Sequence, residues 1–212
     1  TYQFLELLNL GDKTLTFYKL LDALESAAKD DRVKALVFRV SDAGYNITQL
    51  QELREAVLNF KKSGKKTYIY SESYGGSGYV LGLYYLASAF DEIWMQPVGV
   101  VAIGGINAEM PFFKDVMAKY GVEAQFFQRK EYKNAMEHLT SNKMSPASRE
   151  ETQGLIDTLA KQLVEPIKAD RQKISKTFDG LLNLGLITDE AALKDGLIDR
   201  AGYEDELFAM LR

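Results

Sequence analysis

The stretch Tyr79-Val80-Leu81-Gly82-Leu83-Tyr84-Tyr85-Leu86-Ala87-Ser88-Ala89-Phe90 decides the fold. Twelve residues, almost all apolar, fall short of the roughly 18–20 that a membrane-spanning helix needs. The stretch therefore reads as a helix without a polar side, which has to be covered in every direction by the rest of the chain. Strand-like runs flank it, Thr67–Tyr70 before and Ile93–Met95 after, with the glycine-rich loop Ser71–Gly78 leading in.

Further out, Val33–Val40 reads as a β-branched strand. Leu50, Leu53, Val57 and Phe60 form a helical stripe closed by Ser63-Gly64. Phe17, Leu20, Leu21, Leu24 and Ala28 give an earlier stripe. Downstream, Val98–Ile103 is extended. Pro111 marks the first turn of a helix with Phe113, Val116, Met117 and Tyr120 as its inner face and Gly121 as its stop. Val122–Gln128 alternates as a strand does. Ser145-Pro146 opens a long amphipathic helix carrying Ile156, Leu159, Leu163 and Ile167. Short helices follow at Leu181–Leu186, Glu190–Asp195 and Glu204–Leu211, with a last strand near Leu197–Asp199. Alternation of strand and helix from end to end predicts a layered α/β domain.

Composition narrows the function classes. A net charge of −4 with both signs interspersed argues against a nucleic-acid partner. No cysteine is present, which removes thiolate chemistry, and the single histidine, His138, has no second histidine to share a metal with. Neither a cofactor nor a metal is expected. Gly99–Gly105 lacks the spacing of a nucleotide-binding loop. The chain starts at Thr1 on an apolar run without an initiator methionine and is expected to be a segment of a longer protein.

The order of elements, with several local phrases, resembles the signal peptide peptidase A (protease IV) family, peptidase S49. The phrases are Leu20–Leu36, Phe60–Lys65, Tyr84–Ile93, Tyr132-Lys133 followed by Met144-Ser145-Pro146, and Ala191–Asp199. The resemblance implies a Clp-protease/crotonase-like stack of ββα turns over residues 1–140 and a C-terminal helical extension over 145–212, together one domain. It also implies peptide-bond hydrolysis of leftover signal peptides by a serine nucleophile with a lysine base. Long members divide the pair between two domains, and the chain matches the lysine-bearing N-terminal one. The expected partners are a serine-bearing domain of the same protein, further copies in a homo-oligomer and a peptide substrate. The expected location is the bacterial inner membrane, facing the periplasm.

Within that resemblance the base is Lys133. A lysine can take a proton from a serine hydroxyl only when it is uncharged, which requires loss of water or neighbouring positive charge. Tyr132, Ala135 and Met136 offer an apolar wall, and Arg129 and Lys130 the charge. The plainer reading is one more solvated lysine. The nucleophile position of the family falls on Leu81 or Gly82, neither of which has a hydroxyl, and Ser77 lies four or five residues too early. Ser41-Asp42-Ala43-Gly44 keeps one glycine, Gly44, of the family's oxyanion turn. Two other functions stay open: a non-catalytic scaffold of the same assembly, and an acyl-CoA enzyme of the crotonase type.

Overall fold

In the computed structural model, which describes residues 16–41, 45–75 and 80–212, helices and strands alternate. In chain order they are α1 (Phe17–Lys29), β1 (Ala35–Arg39), α2 (Ile47–Lys61), β2 (Lys66–Ser71), α3 (Val80–Ala87), β3 (Glu92–Met95) and β4 (Val100–Ile103). Then come α4 (Lys114–Lys119), α5 (Glu137–Thr140), α6 (Pro146–Asp170), α7 (Phe178–Leu182), β5 (Gly185–Thr188), α8 (Asp189–Lys194), β6 (Arg200–Ala201) and α9 (Glu204–Met210). Strands β1, β2, β3 and β6 lie side by side, all parallel, while β4 and β5 pair antiparallel in a second, two-stranded sheet. Residues through Gly104 together with Leu163–Arg212 form one compact unit, and Gly105–Gln162 a second.

The parallel sheet is covered on both faces, as parallel sheets are. Tyr68, Tyr70 and Trp94 pack with Leu207 of α9 on one side. On the other, the rings of Phe38 and Phe90 lie 5.9 Å apart. Leu50, Leu53, Val57 and Phe60 of α2 are all buried, as their spacing predicts. Asn46 and Gln49 close a capping box at the start of that helix. Every described side chain of α3 is buried.

Two buried arginines tie the layers together. Arg54 donates to the Tyr85 carbonyl (2.7 Å) and Ser88 Oγ (3.0 Å), stacks over the Tyr85 ring and pairs with Asp170. Arg171 donates to Asp199 Oδ2 and to the Gly196 carbonyl, both at 2.8 Å. The same Oδ2 accepts the Ile93 N–H at 2.8 Å, and the other carboxylate oxygen pairs with Lys173. Tyr84 of α3 donates to the Leu197 carbonyl at 2.7 Å. The end of α6, strand β3 and the turn before β6 thus meet beside α3.

The segment just after β2, residues 72–75, is held by β4. Tyr74 N–H donates to the Val100 carbonyl (2.9 Å), and Ala102 N–H to the Tyr74 carbonyl (2.7 Å). The fully buried Tyr74 hydroxyl donates to the Trp94 carbonyl at 2.7 Å. Ser73 Oγ accepts the Val100 N–H at 3.1 Å. Gly99 passes so close that a Cβ there would collide with the carbonyl oxygens of Glu72 and Gln96.

Four expectations need correcting. Val122–Gln128 is not a strand, because among the described residues no neighbouring strand bonds to it. The helix foreseen from Pro111 begins at Lys114, and none of its residues is buried. Phe113, Val116 and Tyr120, expected as its inner face, are exposed. Leu181–Leu186 is not one helix: α7 ends at Leu182, and Leu186 and Ile187 enter β5 opposite Ala102 and Val101. The last strand is β6, at Arg200–Ala201, just past the expected Leu197–Asp199.

Burial raises the Asp199 carboxyl, but the bonds from Lys173, Arg171 and the Ile93 N–H outweigh it and hold it below its ordinary value of 3.8. A carboxylate so depressed stabilises the fold above its unfolded pKa and loses that contribution as pH falls through the folded value. Asp199→Asn is expected to cost about 3 kcal/mol at neutral pH. The gap from the parent should narrow on acidification below about pH 4, read by denaturant titration at several pH values. Gly99→Ala, which forces backbone apart, is expected to lower Tm by roughly 4–8 °C in calorimetry.

Candidate functional site

The family resemblance assigns the nucleophile to the entrance of α3. Leu81 is buried and Gly82 has no side chain, so the position the family resemblance assigns to a nucleophile carries no hydroxyl. Ser77, the nearby alternative, lies outside the described residues, as does Gly44 of the expected oxyanion turn. What the structure adds is a brace on the segment just after β2: Ser73 and Tyr74 bond to Val100 and Ala102, and Gly99 packs against the Glu72 carbonyl. Sequence reasoning overlooked these three. The available signal was a glycine directly after Pro97-Val98, just ahead of a β-branched run.

Lys133, the residue expected as the base, lies in the second unit. Lys130 takes a left-handed conformation (φ 67°), and the Lys133 N–H donates to the Lys130 carbonyl at 3.2 Å, closing a turn. Two side-chain bonds fasten this turn to α6: Tyr132 hydroxyl to Glu150 Oε2 at 3.1 Å, and Asn134 Nδ2 to Glu151 Oε2 at 3.2 Å. Glu150 accepting from it pushes the Tyr132 phenol up from its ordinary value. The Lys133 side chain itself is exposed, and among the described residues no carboxylate pairs with it. Tyr132, Ala135 and Met136 are exposed as well, so the apolar wall foreseen around the amine is not assembled within this unit. Arg129 and Lys130 are also solvated.

Just after this turn, Glu137 is buried, and its Oε1 accepts the Ser145 N–H at 2.7 Å, which fixes the approach to α6. Burial raises this carboxyl, yet bonds from Ser145 and Ser148 hold it below its ordinary value. His138 has its Nδ1 3.0 Å from the Ala135 carbonyl and packs edge-on against Phe113. Among the described residues no group of three or more His, Asp or Glu side chains is arranged to hold a metal ion.

A depression of about 440 Å³ opens at the carboxyl ends of β1, β2 and β3, bordered by Arg39, Tyr70, Glu72, Gln96, Tyr203, Glu204, Asp205 and Phe208. That is the usual place for a ligand in an open parallel sheet. Its border contains no serine or lysine, so a Ser/Lys pair is not among the residues that line it.

Comparison with known proteins completes the picture. The sequence model described as Peptidase family S49 matches residues 59–212, well over half of the chain. The chain is 26% identical over 198 residues to the chloroplastic serine protease SPPA of Arabidopsis thaliana, covering 93% of this chain and 28% of that protein. It is 27% identical over 193 residues to Protease 4 of Salmonella typhi, covering 87% and 30%. This chain thus spans less than a third of the length of these curated relatives. Two solved structures of 1510-N, a membrane-bound stomatin-specific protease, superpose with a TM-score of 0.51 at 15% and 16% identity. They cover 92% of this chain and 78% and 74% of theirs; one is a serine-to-alanine variant, the other a lysine-to-alanine variant with a substrate peptide. At such identity the likeness speaks for the fold, which is of the Clp-protease/crotonase-like α/β class expected from the sequence. With the match to the family over residues 59–212 and the shared architecture, the chain belongs to peptidase family S49.

Proposed function

We propose that this chain is the lysine-bearing part of a Ser/Lys-dyad peptidase that degrades leftover signal peptides at the bacterial inner membrane, on the periplasmic side. A serine from another domain completes the pair. Two observations support the reading: this family member has an exposed lysine at 133, and it has no hydroxyl at Leu81 or Gly82. The printed names of the relatives support serine peptidase chemistry. The 1510-N structures, whose variants alter one serine and one lysine of a membrane-bound protease, support the pairing and the membrane association. Among the described residues no helix is long and apolar enough to cross a membrane.

In this reading the serine oxygen attacks the scissile carbonyl while the Lys133 amine takes the hydroxyl proton and passes it to the leaving nitrogen. Water then attacks the acyl-enzyme, giving up a proton to the same amine, and the carboxylate product departs with serine regenerated. For this the amine has to be shielded from water, and the shield comes from protein outside the unit that carries it. Neighbouring copies in a homo-oligomer and the serine-bearing domain are the sources. A second reading, a non-catalytic scaffold of the same assembly, draws on the exposure of Lys133.

The two readings part on one experiment. The full-length protein is expected to cleave an apolar signal-peptide substrate. Lys133→Ala should lower kcat/KM by at least about a thousandfold with the fold intact by circular dichroism. Lys133→Arg should fail to restore it, since a guanidinium stays protonated. Unchanged activity in Lys133→Ala assigns the chain to the scaffold.

A further inference from the structure

Val122-Glu123-Ala124-Gln125-Phe126-Phe127-Gln128-Arg129 has the composition of a strand and lies in the open without a neighbour. Among the described residues, no backbone hydrogen bond is made by Glu123 through Gln128. Phe126 is 49% exposed and Phe127 105%. Gly121 (φ 74°) bounds the run on one side and Lys130 (φ 67°) on the other, so the stretch between them is a delimited module. Unpaired backbone donors and acceptors next to exposed aromatic side chains form a template for a strand from another chain.

We propose that Val122–Arg129 pairs antiparallel with the same segment of a second copy of this chain, about a two-fold axis through Phe126. The charges choose this partner and this register. With Phe126 opposite its own copy, Glu123 faces Arg129 at both ends, Ala124 faces Gln128 and Gln125 faces Phe127. A slip of two residues in one direction sets Glu123 against Phe127 and loses both ion pairs. A slip of two in the other sets Glu123 against Glu131. Parallel in-register pairing sets Glu123 on Glu123 and Arg129 on Arg129, like charges directly opposed. Of these arrangements only the first satisfies backbone, aromatic and charged groups together. It is isologous, so it closes at two copies. Alternation puts Val122, Ala124 and Phe126 on one face of the ribbon and Glu123 and Arg129 on the other. This pairing gives a specific contact to the homo-oligomer proposed above and rests on that reading.

The test uses the 212-residue chain, which has no cysteine of its own. Sedimentation equilibrium at micromolar concentration is expected to show a dimer. Glu123→Arg or Arg129→Glu alone sets like charges opposite each other twice and should weaken the dimer about tenfold or more, while the double exchange should restore it. Phe126→Cys should form a disulfide-linked dimer on mild oxidation, because that position meets itself; Glu123→Cys should not. An oligomer indifferent to both charge reversals, or one in which Phe126→Cys fails to cross-link, overturns the strand pairing and leaves the oligomer reading standing. A monomer overturns both. Neither result bears on Lys133→Ala, which is read by peptide cleavage.

Discussion

Helix α3 lacks a polar side, and most of the first unit is arranged to cover it. From Leu81 to Phe90 every residue is buried, so the surrounding elements supply apolar contact and partners for the polar groups at its C-terminal end. Arg54 serves the Tyr85 carbonyl and Ser88, while Tyr84 reaches the Leu197 carbonyl near the end of the chain. Unpaired, buried groups of this kind would each be costly, on the order of 1–3 kcal/mol. The Arg171–Asp199 pair sits at the same junction and joins α6 to β3. Cover for one helix thus sets the positions of the sheet, the end of α6 and the C-terminal strand.

That constraint reaches the candidate site through the loop entering α3. Ser73, Tyr74 and Gly99 bind the segment after β2 to β4. The turn bearing Lys133 is fastened differently, by Tyr132 and Asn134 to two glutamates of α6. Both tethers are exposed bonds, weak individually in water. The turn is positioned, and its amine is left in solvent.

What the sequence disclosed follows from which residues carry a period. The stripes of α2 and the unbroken apolar run of α3 were legible because burial there demands a regular pattern. Leu186-Ile187 of β5 misled, since a short apolar run after a helix start fits either period until its partner strand β4, far away in sequence, is known. Around α4 the apolar residues have helical spacing yet face solvent, so periodicity located the helix without showing what it packs on. For Lys133 the neighbouring residue types were readable and their exposure was not, because burial is a property of packing between distant segments. Missing hydroxyls at Leu81 and Gly82, by contrast, could be read directly.

The central claim is that protein outside this unit completes the environment of Lys133. Hydroxyl-radical footprinting measures this through Tyr132 and Met136, the reactive side chains flanking the amine, both exposed here. Comparing the 212-residue chain alone with the same chain in the proposed assembly, the account predicts strong protection of both residues in the assembly. Equal oxidation of Tyr132 and Met136 in the two samples would leave the amine in open water and contradict its role as a base.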